Sequence, residues 1–492
     1  MAERVLEFAE ALGVVLGEAA GVGAPRAVET VELLEAAGRV LAEAVVADRD
    51  QPPFDRSTRD GFAVRAADIG RPLRVVGQVR AGERWSGAAL KAGEAVEIMT
   101  GAPMPEGADA VVMVEHTSVA DSVLRVEAGR SLKAGENVVP RGAEARVGAS
   151  LLPVGRVMGA AEIAVAASCG CSKVSVFARP KVAIVATGDE LVELGARHTP
   201  GAKAPSCSGE TMRPDPEGSG YLAARGDTTS SSGEPIRPEA KGSGYPIVAS
   251  TDVEALPSSA SHLSSTMKLS SEDGAPGGLR EFEIYNSNSY AVAALVRGEG
   301  GVAARLAIAR DSFAELKERV ERGMQSDLLV LSGGVSMGKY DLVEQVLAEL
   351  GAEFLFTGAK IQPGKPVVFG RLPTFDPQRP WVYFFGLPGN PVSTQVCFAL
   401  FVAPMLRALA GRKEVAPVFV EARLGEEVKG GAKVTRFLPA ELVGAWDGVT
   451  VRVVVWQGSG DVAANARGNC YCVLPVGVES FAEGDVVRVL LR

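Results

Sequence analysis

The feature that most constrains the fold is a regular alternation of strand-like and helix-like segments from Pro180 to about residue 412. Apolar runs of buried-strand length, such as KVAIVAT and LLVLS, are separated by segments with helical spacing of apolar residues, such as SFAELKERVERGM. This alternation is typical of a parallel β-sheet covered by helices on both faces. The sequence therefore predicts an α/β domain over residues 180–412.

The segments on either side of this region show other patterns. Apolar residues recur at helical spacing over 3–18, 29–46 and 155–168. Most of the remaining sequence in these segments consists of short β-like runs divided by Gly and Pro. We therefore predict a multi-domain α/β and β protein. Its flanking domains are a helical N-terminal linker or dimerisation domain (1–50 and 145–179), a small β-rich domain (51–144) and a C-terminal β-domain (413–492).

One segment within the α/β region fits neither pattern. Residues 198–278 are dense in Ser, Gly and Pro and lack both helical and strand periodicity. Such a composition buries too little apolar surface to offset the entropy of ordering the chain. We predict a disordered insertion. A lid and a partner tether are alternatives to an inert spacer, and we favour the spacer.

Charge and hydropathy exclude several classes of function. The formal net charge is -9 and no basic run stands out, which argues against a nucleic-acid partner. No run of eighteen apolar residues predicts a membrane span, and Glu3, Glu7 and Glu10 interrupt any secretory signal at the N-terminus. We therefore expect a cytoplasmic protein.

The scarcity of histidine limits the available chemistry. Only three of the 492 residues are His, so a His-ligated zinc site or a Ser-His-Asp triad has little to be built from. The six cysteines include two C-x-C pairs, Cys169/Cys171 and Cys470/Cys472, each in an apolar, strand-like run. This spacing is compatible with metal binding, but we favour buried free thiols.

Candidate ligand-binding residues follow the predicted strands, because ligands of open parallel sheets bind at the carboxyl ends of the strands. Glycines there let backbone N–H groups approach an anion, and the next helix adds its positive end. Two carboxylates beside a phosphate are a typical binding site for Mg²⁺. Three turns and one lysine supply the candidates, which are Gly188, Glu190, Gly333, Gly334, Ser336, Asp341, Lys365, Pro388, Gly389, Asn390, Pro391 and Ser393.

Each of these signals has a simpler structural explanation. A Gly-rich turn after a strand is most often only a turn, and Ser393 fits a helix N-cap. Glu190 and Asp341 fit solvated acids that favour a helix dipole. It is the joint occurrence of these turns on successive strands that favours a phosphate-bearing ligand.

Taken in order, the motifs TGDEL, SGGVSMGKYD, PGKPVVFG and GLPGNPVS resemble the molybdopterin molybdenumtransferase family, to which the C-terminal region of gephyrin is related. The N-terminal half agrees through FDRSTRDGFAVR, IMTGAP and GADAVV. The resemblance covers nearly the whole chain apart from the insertion, and the set of motifs is highly specific.

The resemblance implies insertion of molybdate into adenylylated molybdopterin, with Mg²⁺ as cofactor and AMP as a product. It also implies an elongated homodimer whose cleft lies between the α/β domain of one subunit and the β-rich domain of the other. Further partners would be the molybdopterin adenylyltransferase and apo-molybdoenzymes. On this basis Asp60, Thr100, Glu190 and Asp341 are catalytic candidates, and Glu190, Asp341 and Asn286 are candidate metal ligands.

The chain departs from the family pattern at three places. Asn286 stands in IYNSN where the family often has Asp, Glu144 replaces an Asp, and Gln362 stands where some relatives carry Lys. Arg436 matches a family arginine less closely. Asn286 keeps an oxygen for a metal or hydroxyl but loses a charge.

The sequence leaves two other functions open. A related nucleotide hydrolase or adenylyltransferase would share the α/β domain, but those relatives lack the N-terminal motif block. A scaffold or non-catalytic molybdopterin-binding protein would tolerate loss of Asp60 and Glu190, whereas an enzyme would not.

Overall fold

The structure is a computed structural model that describes residues 4–23, 27–195, 282–334, 342–377 and 379–492. The predicted insertion, 198–278, lies outside these residues. Ser336 and Asp341 also lie outside them, so their assigned roles stay predictions. Residues up to 194 and from 283 onward form one compact unit.

A six-stranded sheet forms the centre of the α/β region. Four neighbouring strands are parallel, as predicted, and two more continue the sheet in antiparallel orientation at one edge. The antiparallel pair arises because a short hairpin joins two of the apolar runs, which leaves no room for a crossover helix. In spatial order the strands are Val302–Arg305, Lys181–Ala186, Leu328–Ser332, Trp381–Leu387, Val368–Pro373 and Glu353–Phe356.

Helices cover both faces of this sheet, as the alternation predicted. Alternate strand residues pack to opposite sides: Val182 and Ile184 join one hydrophobic core, whereas Ala183 and Val185 join the other. The α-helices are α1 (Phe8–Gly21), α2 (Ala160–Ser168), α3 (Ser287–Gly298), α4 (Phe313–Gly323), α5 (Leu342–Glu349), α6 (Pro391–Cys397), α7 (Ala403–Leu409) and α8 (Val462–Arg467). The first core takes α1, α3, α6 and α7, and the second takes α4 and α5.

The helical run from α6 to α7 is continuous through a π-helical segment, Phe398–Val402. By length and composition it could cross a membrane, but 78% of its apolar window is buried inside the protein. It packs against α1, the sheet and the C-terminal domain, as the core helix of a globular protein does.

One helix prediction was wrong. Residues 29–46 form the strand Val28–Glu32, a 3-10 turn at Leu33–Ala36 and the short strand Val45–Val46. Pairing with Lys173–Phe177 overrides the helical spacing, and Gly38, with a φ of 73°, ends any helical continuation. The helix predicted over 3–18 is confirmed but begins at Phe8, because Val5 and Leu6 pair with Gly358 and Ala359 instead.

Residues between 51 and 144 form a second six-stranded sheet, as the short β-like runs in the sequence predicted. Leu73–Val79 and Glu94–Ile98 are parallel, and the other pairs in the sheet are antiparallel. Its spatial order is Ala110–Met113, Gly61–Val64, Glu94–Ile98, Leu73–Val79, Val123–Val126 and Thr117–Ala120.

The C-terminal strands form a third sheet that closes on itself, because Cys470–Leu474 pairs with both Val486–Leu491 and Thr435–Ala445. The strands in order are Ile361–Gln362, Thr435–Ala445, Gly448–Val453, Phe419–Leu424, Val486–Leu491 and Cys470–Leu474. The remaining pairs are two-stranded: Val28–Glu32 with Lys173–Phe177, Val45–Val46 with Ser150–Leu152, Arg56–Ser57 with Val138–Val139, Leu191–Val192 with Ile284–Tyr285, and Val428–Lys429 with Ser480–Phe481.

The cysteines of both C-x-C pairs are free thiols, as predicted. Cys470 and Cys472 are buried in a strand, and burial raises the pKa of the Cys472 thiol to about 12. The other pair is not in a strand: Cys169 and Cys171 lie at the end of α2, where Gly170 at a φ of 76° turns the chain, and Cys171 is only half-buried.

Candidate functional site

A cavity of about 290 Å³ opens at the carboxyl ends of three parallel strands, where the strand-to-helix turns were predicted to meet. It brings together six of the predicted site residues, Glu190, Asn286, Gly333, Gly389, Asn390 and Pro391. The other residues that line it are Ala186, Thr187, Leu191, Ile284, Tyr285, Ser287, Asn288, Ser332 and Gly460.

The first wall is the turn that follows Lys181–Ala186. Gly188 has a φ of 145°, a backbone conformation that favours glycine, and its N–H donates to the carbonyl of Ala309 at 3.2 Å. A Cβ on Gly188 would lie 2.5 Å from a carboxylate oxygen of Glu190. The glycine therefore lets the Glu190 carboxylate fold back over the turn at the edge of the cavity.

The second wall is the Gly333-Gly334 turn after Leu328–Ser332. Both glycines have positive φ, 90° and 63°. A Cβ on Gly333 would lie 2.6 Å from the carbonyl oxygen of Thr187, so neighbouring turns pack too closely here for any side chain. The Gly333 N–H donates to the carbonyl of Leu387 at 3.2 Å, which ties this turn to the third strand.

The third wall is the turn from Pro388 to Pro391 that begins α6. The Thr394 hydroxyl donates to the carbonyl of Pro388 at 2.6 Å, and the Asn288 amide donates to the carbonyl of Gly389 at 2.6 Å. Ser393 is buried in the first turn of α6, at 3% exposure, and Pro388 is buried beside it. These contacts fix the turn against both α6 and the wall formed by 284–288.

The C-terminal domain also reaches this turn. The Val392 N–H donates to the carbonyl of Ser459 at 3.0 Å, and the Asn390 amide donates to the Ser459 hydroxyl at 2.8 Å. Because Pro391 has no N–H, these contacts occupy the first amide of α6 that an anion would otherwise use. The helix end therefore serves to hold the C-terminal domain as well as to line the cavity.

Asn286 is 1% exposed and caps α3, its side-chain oxygen accepting from the Ser289 N–H at 3.3 Å. Its amide nitrogen donates to Glu193 at 2.9 Å. Glu193 in turn pairs with Arg305 at 2.6 Å. The side chain predicted as a metal ligand thus has structural partners at both ends.

Asp60 and Thr100 contact each other directly at the edge of the sheet of the 51–144 segment, just before the strand Gly61–Val64 and just after the strand Glu94–Ile98. The Thr100 N–H and hydroxyl both donate to Asp60, and these two hydrogen bonds hold the pKa of its carboxyl below the ordinary value. No residue between 51 and 144 is among those that line the cavity. The structure therefore joins these two candidates to each other but not to the cavity of the same chain.

Glu144, which stands where the family often has Asp, pairs with Arg56 at 2.6 Å in the same segment. Asp50 accepts from the Val147 N–H and from Arg141, and these contacts lower its pKa. Both acids are therefore held by arginines of the same segment, Glu144 by Arg56 and Asp50 by Arg141.

Lys365 is exposed and does not line the cavity. Its loop adjoins the C-terminal domain, because Ile361–Gln362 pairs in parallel with Thr435 and Arg436. Gln362 and Arg436 are direct register partners, and the Nε atom of Arg436 is buried without a hydrogen-bond partner. Both positions singled out in the sequence thus lie side by side, next to the loop of Lys365.

The donor set around the cavity fits a hard cation only in part. Glu190 offers a carboxylate at the edge, whereas the oxygen of Asn286 accepts a hydrogen bond from α3 and belongs to a residue that is 1% exposed. Within the described residues, no group of three His, Cys, Asp or Glu side chains is arranged for a metal ion. A magnesium site built on Glu190 and Asp341 stays a prediction.

Several residues of the site were not singled out from the sequence, among them Asn288, Ser459 and Gly460. Asn288 lies two residues beyond Asn286 in the IYNSN motif. Only position 286 of that motif was predicted to take part in the site, because the family often has Asp there. Ser459 and Gly460 belong to a Gly-Ser-Gly-Asp turn before α8, in which Gly458 has a φ of 117° and Asp461 caps the helix. The glycines of this turn and the capping Asp461 were the features of the sequence that could have indicated a turn at the site.

Models of known protein families match three regions of the chain, which together include the N-terminal segments, the α/β region and the C-terminal domain. Three family models match: "MoeA N-terminal region (domain I and II)" over residues 6–170, "Probable molybdopterin binding domain" over 276–408, and "MoeA C-terminal region (domain IV)" over 421–491. The matches leave out most of the predicted insertion.

Individual relatives match over nearly the whole chain. A molybdopterin molybdenumtransferase from Nostoc is 32% identical over 94% of this chain and 88% of its own length, and one from Staphylococcus aureus is 28% identical over 94% and 90%. The crystal structure of a molybdopterin biosynthesis protein from Pyrococcus horikoshii superposes with a TM-score of 0.62 at 28% identity, covering 99% of both chains. With the same order of domains and motifs throughout, the chain belongs to the molybdopterin molybdenumtransferase family.

Proposed function

We propose that this protein is the transferase that inserts molybdate into adenylylated molybdopterin, in a Mg²⁺-dependent reaction that releases AMP and molybdenum cofactor. The observation that carries the proposal is the convergence of three strand-to-helix turns, one with an acid, around a single cavity in a chain of this family. A phosphate-bearing ligand of nucleotide size suits a cavity of about 290 Å³, lined by both apolar and polar residues, at this edge of an α/β sheet.

In this proposal the chain acts mainly by positioning and electrostatics. Glu190, with Asp341, would hold the Mg²⁺ ion, which neutralises charge on the phosphoanhydride when bound. Lys365 would supply a positive charge for molybdate, a small dianion, and Asp60 would orient a water or a metal. No covalent bond to the protein is required.

We further propose that the active enzyme is a homodimer in the cytoplasm. Asp60 and Thr100 contact each other but lie in a segment that does not line the cavity of their own chain. A second subunit would bring the pair to the cavity, as the family resemblance implies. Contacts with the molybdopterin adenylyltransferase and with apo-molybdoenzymes would then supply the substrate and receive the product.

The direct test is a reconstituted reaction. Purified protein is incubated with adenylylated molybdopterin, molybdate and Mg²⁺, and AMP release is followed together with activation of an apo-molybdoenzyme. We expect both from the wild type and a loss of about a hundredfold for Glu190→Gln. Glu349→Gln is the matched control, because Glu349 pairs with Lys317 at the surface at 2.7 Å and does not line the cavity. Equal AMP release by wild type and Glu190→Gln would contradict the proposal.

A further inference from the structure

A chain of hydrogen bonds behind the cavity has no role in the function described so far. Arg305 donates to one oxygen of Glu193 at 2.6 Å, and the amide of Asn286 donates to the other at 2.9 Å. Arg305 also contacts the Ser289 hydroxyl at 2.9 Å, and its guanidinium stacks on the Tyr290 ring at 3.6 Å. The group combines one cation, one anion and one neutral amide, so its formal charges balance.

This group holds the start of α3 and therefore the cavity wall 284–288. Asn286 caps α3, and two residues along, the Asn288 amide crosses to the carbonyl of Gly389 on the opposite wall at 2.6 Å. Movement of Asn286 would shift Asn288 and loosen that link. The spacing between two walls of the cavity thus depends on the hydrogen bonds of Glu193, a residue that does not itself line the cavity.

The chemistry of position 286 is set by Glu193. Because the Asn286 amide donates a hydrogen bond to a carboxylate, the position requires an N–H donor. A carboxylate at 286 would face the Glu193 carboxylate at hydrogen-bond distance and repel it, with only Arg305 to compensate. The Asn286 oxygen accepts from the Ser289 N–H at the N-terminus of α3, and the residue is 1% exposed, so little of that oxygen is presented to an ion in the cavity.

We propose that Asn286 is a positioning residue, which acts with Glu193 and Arg305 to fix the 284–288 wall, and that it is not a metal ligand. This inference rests on the proposed function, because it assigns the wall a role in binding the nucleotide. It replaces the prediction that Asn286 joins Glu190 and Asp341 around Mg²⁺.

The test compares Asn286→Asp, Glu193→Gln and the double variant, using AMP as the probe in calorimetry at several Mg²⁺ concentrations. Asn286→Asp should weaken AMP binding about tenfold, because it replaces a charge-assisted hydrogen bond by repulsion. The double variant should return to within about threefold of the wild type. In it the introduced glutamine amide can donate to the introduced carboxylate, and the formal charges balance again. The Mg²⁺ dependence of AMP binding should be the same in all four proteins.

Asn469→Asp is the matched control for folding. Asn469 accepts from the Leu442 N–H at 2.7 Å and donates to the Leu442 carbonyl at 3.0 Å, in the C-terminal sheet. The same substitution there should lower the unfolding temperature without changing AMP binding. Unfolding temperatures of the other variants separate a loss of the wall from a loss of the fold.

Two results would overturn the inference while leaving the proposed function intact. One is AMP binding by Asn286→Asp that equals the wild type, and the other is a lower Mg²⁺ requirement in that variant with no rescue by Glu193→Gln. Absence of AMP binding by the wild type would overturn the nucleotide-binding role given to the wall, whereas only a failure to release AMP in the reconstituted reaction would remove the proposed function.

Discussion

The Oδ1 atom of Asp60 accepts two hydrogen bonds from Thr100, from the backbone N–H at 2.7 Å and from the side-chain hydroxyl at 2.9 Å. Two residues forty positions apart in the chain thus form one unit. The backbone contact contributes more to the lowered pKa of Asp60 than the hydroxyl does. The pair is solvent-exposed, as a group that meets a second subunit or a substrate must be.

Thr100→Val tests this pair. The variant keeps the shape and the backbone N–H but loses the hydroxyl donor, so the pKa of Asp60 should rise toward its ordinary value of about 4. Because the folded-state pKa is lowered, the stabilisation is present at neutral pH and is lost as the pH falls through the folded pKa. The variant should therefore lose that stabilisation at a higher pH than the wild type. An NMR titration of the Asp60 carboxyl measures this directly.

Activity of Thr100→Val should fall about tenfold at neutral pH, where the charge of Asp60 is unchanged but its orientation is looser. Thr117→Val is the control, because the Thr117 hydroxyl donates to the carbonyl of Val114 in the same sheet. If Thr100→Val titrates like the wild type at Asp60 and keeps full activity, the contact between Thr100 and Asp60 has no role in the reaction.

Gly61 is required by packing rather than by backbone conformation. A Cβ at this position would lie 1.9 Å from the carbonyl oxygen of Val112 in the neighbouring strand. Gly61→Ala should destabilise the protein by about 3 kcal/mol, because two sheet strands would have to separate. Gly13→Ala in α1 is the control: nothing lies within 4 Å of its added Cβ, so it should stabilise by up to about 1 kcal/mol. Thermal unfolding of both variants measures the difference, and equal unfolding temperatures would refute it.

Glu299 joins the α/β region to the end of its long helical run. Arg407 donates to it at 2.8 Å and Arg412 at 3.3 Å, and all three side chains are less than one-fifth exposed. Glu299→Ala leaves two arginines without their carboxylate and should cost about 3 kcal/mol. Glu349→Ala removes an exposed pair and should cost less than about 1 kcal/mol. Denaturant titration distinguishes the two, and a small loss for Glu299→Ala would show that water replaces the carboxylate.

Deletion of the predicted insertion is a separate test. The short strands Leu191–Val192 and Ile284–Tyr285 run in parallel, and a connection between parallel strands needs about a dozen residues. Replacing 198–278 by a Gly/Ser linker of that order should preserve the pairing and the cavity, with activity within about twofold of the wild type. A dimeric, folded deletion variant without activity would favour the lid or tether over the spacer.

Most of the fold was accessible from periodicity. Runs such as KVAIVAT and LLVLS alternate with helical segments, and the structure places both kinds of element as predicted. The helix predicted over 29–46 was wrong because pairing with a distant strand determines the structure there. Val28–Glu32 forms a strand because it pairs with Lys173–Phe177. Local spacing carries no information about a partner more than a hundred residues away.

The site was predictable where residues follow strand ends, and not where other domains contribute. Glu190, Gly333 and Gly389 converge because parallel strands bring their carboxyl ends to one edge. Ser459 reaches the Pro388–Pro391 turn from a turn of the C-terminal domain, and Glu193 acts by accepting a hydrogen bond from Asn286. Neither contact could be read from spacing, since both depend on tertiary packing.

Rescue of cofactor synthesis tests the central claim most directly. The chain is expressed in a bacterial host that lacks its own molybdenumtransferase, and a molybdoenzyme is assayed at low molybdate with wild type, Asp60→Ala and Glu349→Gln. We predict activity with the wild type and with Glu349→Gln, and none with Asp60→Ala. Molybdoenzyme activity that stays absent with soluble, dimeric wild-type protein would contradict the assignment of this chain as the molybdate-inserting enzyme, whereas activity that persists with Asp60→Ala would contradict the role given to Asp60.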